Sequence, residues 1–290
     1  MYHVARACKV PARTVRTTRS REGGGSWHRC GIVTRRPVTG NVSARASGAM
    51  PDPTRISPDA NLTVPPAFEE AGLPARFRNR TEAGQVLATR LSRYAGMPGA
   101  IVLALPRGGV PVGYEVAVAL GLPLDVLVVR KLGVPGHEEL AMGAIAGGAT
   151  VLNGEVVDAL GIPEAAIRKV EAAERRELDR REQRYRGARP RPDISGRTVI
   201  VVDDGLATGS TMRAAIGALR AAGPERIVVA APTGAKPSAD ELGKVADEVV
   251  VVMTPSPFIA VGQAYKRFEQ TSDEEVARLL AAAAARPAPA

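Results

Sequence analysis

Residues 199–211, VIVVDDGLATGST, gather side chains suited to holding a polar ligand. Asp203 and Asp204 are adjacent carboxylates, acceptor-only groups when ionised. Beyond them Thr208, Gly209, Ser210 and Thr211 combine hydroxyls with a glycine that lets the backbone approach a ligand closely. Four β-prone apolar residues precede the acids, and MRAAIGALRAAG (212–223) is helical in pattern. A strand-to-helix loop of this kind aims N–H groups and a helix N-terminus at an anion. Two carboxylates would repel a phosphate bound there, and the local pattern leaves open what they face. Familiar phosphate loops do not match. A P-loop needs G-x-x-x-x-G-K-[ST], and GLATGST has neither that glycine spacing nor a lysine; G-x-G-x-x-G is absent too. A phospho-receiver would place its acidic pair near the start of the domain, whereas this pair follows most of the strands.

The elements that must position this loop are readable from hydrophobic period. From Phe77 the pattern becomes regular. RTEAGQVLATRLSRYAG (80–96) reads as a helix with Thr81 as N-cap and Glu82 in its first turn. AIVLALPR (100–107) is a continuous apolar run, the signature of a strand buried on both faces. VPVGYEVAVALG (110–121) is helical, LDVLVVRKL (124–132) a second strand, and 139–153 one or two further strands with glycine breaks. Residues 163–187 predict one long charged helix with Pro163 at N1 and the i,i+4 pairs Glu171/Arg175, Glu177/Arg181 and Glu182/Arg186. Its thin apolar face puts most of it in solvent, unless a partner subunit covers it. Strand 197–203, helix 210–222, strand 226–231, helix 237–245 and strand 247–252 follow, and QTSDEEV places a helix cap at Thr271 or Ser272. Alternating strands and helices define an α/β fold with a mostly parallel, twisted sheet flanked by helices. Ligands in such sheets bind beyond the carboxyl ends of the strands, where the acid pair lies.

The whole run VIVVDDGLATGST resembles the signature of type I phosphoribosyltransferases for 5-phosphoribosyl 1-pyrophosphate (PRPP): four apolar residues, two acids, then small residues with Thr-Gly-x-Thr. Residues 77–275 resemble a bacterial family of such transferases. The resemblance implies a flexible loop over the site and a small hood that selects the nucleophile. It implies that Asp203 and Asp204 accept hydrogen bonds from the two ribose hydroxyls and lie near a Mg2+ ion. It puts the 5′-phosphate on Gly205, Ala207, Thr208, Gly209, Ser210 and Thr211. LPRGG (105–109) resembles the family's pyrophosphate loop, with Arg107 pairing the anion and Gly108 and Gly109 allowing close approach; alone it would pass for an ordinary turn. Residues 128–144 occupy the flexible-loop position, from which Arg130 and Lys131 reach the pyrophosphate. His137 lies in the same stretch, as a proton carrier or an ordinary surface histidine. In 254–275 the rings of Phe258, Tyr265 and Phe268 stand where relatives contact a nucleobase, or pack the hood against the sheet. The implied reaction displaces pyrophosphate from C1 of PRPP by a nitrogen nucleophile such as a nucleobase. The alternatives are a regulator that binds PRPP or nucleotides without turnover, since fold does not fix function, and hydrolysis or transfer on another phosphorylated sugar. The resemblance also implies a homodimer; the acceptor is not legible.

Composition bounds the rest. The formal charge of +9 sits wholly in residues 1–49, which hold ten Lys and Arg against Glu22, and the remaining 241 residues are balanced. A nucleic-acid-binding domain would spread positive charge over its folded face, so none is expected as partner of the core. Cys8 and Cys30 both lie in the tail, which excludes disulfides and cysteine-based zinc sites elsewhere. No apolar run approaches a membrane span. The Arg-rich, acid-poor tail is formally like a transit peptide; with no apolar periodicity it is expected to be disordered upstream sequence, with Met50 the start and the protein cytoplasmic. Residues 50–76 read as a Pro-rich linker, 77–275 as the domain, and 276–290 as the end of a helix with an Ala/Pro tail. There is no G-x-S-x-G elbow and no zinc-type His/Cys spacing.

Overall fold

A computed structural model describes residues 75–286; the basic tail, Cys8, Cys30, Met50 and nearly all of the Pro-rich stretch lie outside the described residues. Five strands form a parallel sheet: β1 (Ile101–Ala104), β2 (Leu124–Val126), β6 (Thr198–Val202), β7 (Arg226–Thr233) and β8 (Glu248–Met253), in the order β2-β1-β6-β7-β8. Their continuous apolar runs have a direct cause. Alternate residues feed two different cores: Val102, Ala104, Ile200 and Val202 enter one cluster, Ile101, Leu103, Val199 and Val201 the other. The first cluster is closed by α1 (Arg80–Arg90), α2 (Gly109–Leu120) and α7 (Asp273–Ala284), the second by α5 (Ser210–Ala221). Strand order reverses between β1 and β6, so their carboxyl ends open a crevice at a topological switch point.

A second, antiparallel sheet of order β3-β4-β5 is built from β3 (Val129–Val134), β4 (His137–Ala146) and β5 (Ala149–Leu152). It corrects one expectation and gives another its shape. The run 124–132 is not one strand: β2 pairs with β1 as far as Val126, and the chain then turns so that Val129 pairs with Ala146. The apolar stretch between them carries no break that would signal the change of sheet. The expected flexible loop at 128–144 is mostly this β3–β4 hairpin, with His137 exposed at its tip.

The long charged helix is α4 (Glu164–Arg186), after the short α3 (Gly154–Ala159). Pro163 occupies its N-cap rather than N1, with extended backbone. Glu171/Arg175 and Glu177/Arg181 form ion pairs on its accessible side. Glu182/Arg186 does not fit the expected solvated face, because both are buried: Arg186 also binds Asp125 at 3.0 and 3.1 Å and the Val126 carbonyl at 3.1 Å. Helix α1 is capped by Asn79, whose Oδ1 accepts the Glu82 N–H at 3.0 Å, and not by Thr81. Ser272 caps α7. Val276 and Leu280 of α7 lie in the first core, so the packed unit continues past residue 275. Helix α6 (Lys236–Leu242) precedes β8. Among the described residues no helix is long and apolar enough to cross a membrane.

Candidate ligand site at the sheet switch point

The loops after β1 and β6 meet although about a hundred residues separate them. A Cβ on Gly108 would lie 1.9 Å from Asp204 Oδ2, and one on Gly109 would meet the Val202 carbonyl at 2.7 Å and Asp203 Cα at 2.9 Å. Both positions therefore require glycine for close approach. The Leu105 N–H donates to the Val202 carbonyl at 2.8 Å, tying the two strand ends together. The Pro106–Arg107 peptide is cis. Arg107 is partly buried and forms no ion pair among the described residues; its charge reaches the Tyr185 hydroxyl, which burial and the neighbouring Asp273 push up to about 12.

The two acids are held differently. Asp204 Oδ2 accepts from Arg80 Nε at 2.9 Å and Nη2 at 2.8 Å, in an ion pair with little exposure on either side. Asp203 Oδ1 accepts the Asp204 N–H at 2.8 Å. Burial, and then the charge of Asp204, raise the Asp203 carboxyl well above its ordinary value; the backbone N–H and Arg80 oppose this only in part.

Beyond the acids, Leu206 bridges to the end of β7, its N–H on the Thr233 carbonyl at 2.9 Å and its carbonyl accepting from Ala235 at 2.8 Å. Gly205 passes so close to the hood that a Cβ would fall 2.4 Å from Val261 Cγ1. Gly209 turns the chain with φ +68° and starts α5 without a side-chain cap, leaving first-turn N–H groups for an anion. Ala207, Thr208, Ser210 and Thr211 are exposed, and Thr208 Oγ1 and Ser210 Oγ lie 3.2 Å apart. Lys131 Nζ donates to Ser210 Oγ at 2.9 Å. Lys131 thus stands over the 205–211 loop. Arg130, its neighbour on β3, points to the opposite face and pairs with Glu174 of α4 at 2.6 Å.

The hood joins both ends of the described chain. Phe77 N–H donates to the Ala264 carbonyl at 2.8 Å, and Lys266 N–H to the Phe77 carbonyl at 2.7 Å. Tyr265 is 2% exposed, donates its hydroxyl to the Asp204 carbonyl at 2.6 Å and stacks on Phe268 with centroids 4.9 Å apart. Its ring is part of the hood's packing and offers no face to a ligand, a correction to its expected acceptor contact. Phe268 is 37% exposed, and Arg80 lies over it at 4.0 Å. Phe258 is only partly buried, in the segment leading into the hood. Arg80 also donates to the Glu269 carbonyl at 2.7 Å, which links the hood to the acid pair. Its role is not legible in sequence, because a lone arginine at a helix start carries no signal of a partner 124 positions away.

Among the described residues no three His, Cys, Asp or Glu side chains gather into a metal cage. Asp203 and Asp204 are opposed carboxylates, a donor set that suits a hard divalent cation completing its shell with a ligand's phosphates and water. The arrangement as a whole presents N–H groups, hydroxyls and a lysine to one anion, carboxylates to hydroxyls or a cation, and Arg107 with paired glycines to a second anion.

A family profile described as the phosphoribosyl transferase domain matches residues 79–265. A Mycobacterium tuberculosis (strain H37Rv) protein assigned by name to the phosphoribosyl transferases is 49% identical over 205 residues, 70% of this chain and 46% of its own length. The chain therefore spans about half the length of the curated relatives it matches. The crystal structure of TT1426 from Thermus thermophilus is 41% identical and covers 71% of this chain and 97% of its own, with a TM-score of 0.64. A ribose-phosphate pyrophosphokinase of Pyrococcus furiosus is 41% identical over 68 residues, 22% of this chain and 24% of its own length.

Proposed function

The chain belongs to the phosphoribosyl transferase family, and on that premise we propose that it transfers the phosphoribosyl group of PRPP to a nitrogen nucleophile, releasing pyrophosphate. One observation carries the reading: the 105–109 loop and the acid pair touch at Gly108 and Asp204, so that one ligand can span both. The 205–211 loop and the α5 N-terminus take the 5′-phosphate, with Lys131 beside them. Asp203 and Asp204 accept from the ribose hydroxyls, which sets them one sugar away from that phosphate and resolves their repulsion. Arg107, Gly108 and Gly109 take the pyrophosphate. Mg2+, when bound, neutralises the pyrophosphate leaving group. The carboxylates further favour positive charge developing on the ribose as the C1–O bond breaks. Arg80 keeps Asp204 oriented, and Phe268 and Phe258 border the approach of the acceptor. The partial Pyrococcus relative, whose name carries ribose phosphate and pyrophosphate, supports this substrate class. A second reading, a PRPP-binding regulator without turnover, shares these contacts and differs only in pyrophosphate release.

Calorimetric titration with PRPP, with and without Mg2+, tests the site. Metal-dependent binding is expected, weakened by at least about 100-fold in the Asp203→Asn/Asp204→Asn variant, since two charge-assisted hydrogen-bond sets are lost. No binding to the wild type would remove PRPP as substrate. Binding without pyrophosphate release across a panel of nucleobases would select the regulator.

A further inference from the structure

A cavity of about 390 Å3 lies between α5 and the antiparallel sheet, and the proposed reaction uses only its mouth, at Lys131, Thr208 and Ser210. No residue of the hood lines it. Its helical wall is Ser210, Arg213, Ala214 and Gly217, one face of α5 at i, i+3, i+4 and i+7. Gly143 and Val151 belong to the opposite wall. Small side chains on a helix and a sheet ordinarily let the two close on each other. Here they leave a space within the roughly 300–1,000 Å3 of small-molecule pockets. Gly217 sharpens the point. Glycine inside a helix destabilises it relative to alanine, and a Cβ at this position would meet nothing within 4 Å. Neither a turn nor a close approach requires this glycine; its effect is to keep the groove open.

The two ends of the cavity differ in chemistry. At one end stand Lys131, bonded to Ser210 Oγ at 2.9 Å, and the Thr208 hydroxyl. Arg213 also lines the cavity, and its one ion pair among the described residues, with Glu241, is long at 3.7 Å and half exposed. The remainder is largely aliphatic. A cationic, hydroxyl-bearing mouth on an apolar trough is complementary to an anionic head on a compact apolar or flat body.

We propose that this cavity binds a phosphomonoester with such a body, its phosphate at Lys131, Thr208 and Ser210 and its body over Gly217. The inference rests on the 205–211 loop being a phosphate site, and it adds a ligand that competes with PRPP for that loop. Such a ligand would regulate the site without entering the hood.

Phenyl phosphate and inorganic phosphate are the probes, titrated calorimetrically into the full chain. Phenyl phosphate should bind at least about tenfold more tightly than inorganic phosphate. Gly217→Leu, which fills the trough and leaves the loop intact, should bring the two within about twofold without weakening inorganic phosphate. Ala214→Leu on the same helix face repeats the test should Gly217→Leu fail to fold. At a phenyl phosphate concentration that just saturates the wild type, PRPP affinity should fall for the wild type and fall several-fold less for Gly217→Leu. Equal affinity of the two probes for the wild type, or an undiminished preference in Gly217→Leu, overturns the inference. A groove filled by a second copy of the chain would give equal affinities together with a dimer that Gly217→Leu dissociates, and overturns it as well. A phenyl phosphate preference that vanishes in Gly217→Leu, in a protein that does not bind PRPP, keeps this inference and refutes the transferase reading.

Discussion

Asp203 and Asp204 are neighbours in sequence that meet different surroundings, and their difference has a consequence for stability. Arg80 compensates Asp204 directly. Asp203 is left with a burial penalty and the adjacent negative charge, and its carboxyl is raised well above the ordinary 3.8. A raised carboxyl loses more on ionisation in the folded chain than in the unfolded one. Its contribution to stability is therefore complete below pH 3.8 and is lost as pH rises through the folded value. Asparagine at 203 has no charge to bury. Asp203→Asn is expected to melt at a higher temperature than wild type at pH 8, with the gap shrinking on acidification and closing near pH 3.5, while the same variant weakens PRPP. Thermal unfolding from pH 3 to 8 measures it, and identical melting curves at pH 8 would refute the account. The acids, the hydroxyl loop and the paired glycines were legible in sequence because each is a dense run of unusual types. Arg80 was not, since its meaning comes from Asp204 and Phe268, which the fold brings to it from far along the chain. Tyr265 was legible as a hood aromatic, but the face it turns inward is settled by packing on Phe77 and Phe268.

Elements were legible wherever one period ran unbroken, and failed where tertiary contacts set the boundary. β1, β6 and β7 announce themselves because both faces are buried. The change from β2 to β3 is silent because the chain passes between them through the apolar Leu127 and Val128, and only the strands' partners differ. Helix α4 is the sharper case. Its charges read as a solvated face, yet Arg186 and Glu182 enter the interior, where Asp125 and Arg191 meet them. Burial outweighs the Arg186 charge and lifts the Asp125 carboxyl above its ordinary value. Such a network adds little beyond what apolar residues of the same volume would, but removing one member strands the others. Arg186→Met should lower unfolding free energy by about 3–5 kcal/mol. The combined Asp125→Leu/Glu182→Met/Arg186→Met replacement should cost clearly less than that. Urea unfolding of the two variants decides the matter: a single substitution milder than the triple one would show that the network stabilises in its own right.

At the scale of the molecule, sequence segregates two properties. The described residues build the sheet, the crevice at its switch point and the cavity beside it. The basic excess belongs to residues 1–49, while residues 50–290 are electrically balanced. A pI near 10.0 would suggest a nucleic-acid-binding protein if the chain were treated as uniform. The distribution argues otherwise, because steering of a polyanion needs excess charge, and none remains once the tail is set aside. Ten basic side chains in 49 residues suffice for non-specific attraction to phosphate backbones, which weakens steeply between ~50 and ~200 mM salt as counterion release loses its advantage. The full chain should therefore bind a short labelled DNA duplex of arbitrary sequence at low salt and release it at physiological salt. Fragment 50–290 should not bind it at either, while its PRPP affinity equals that of the full chain. Fluorescence anisotropy on the two proteins distinguishes the cases. Duplex binding retained by 50–290 would place a polyanion surface on the balanced part of the chain, and the anion sites at the switch point would then have to be read as parts of it.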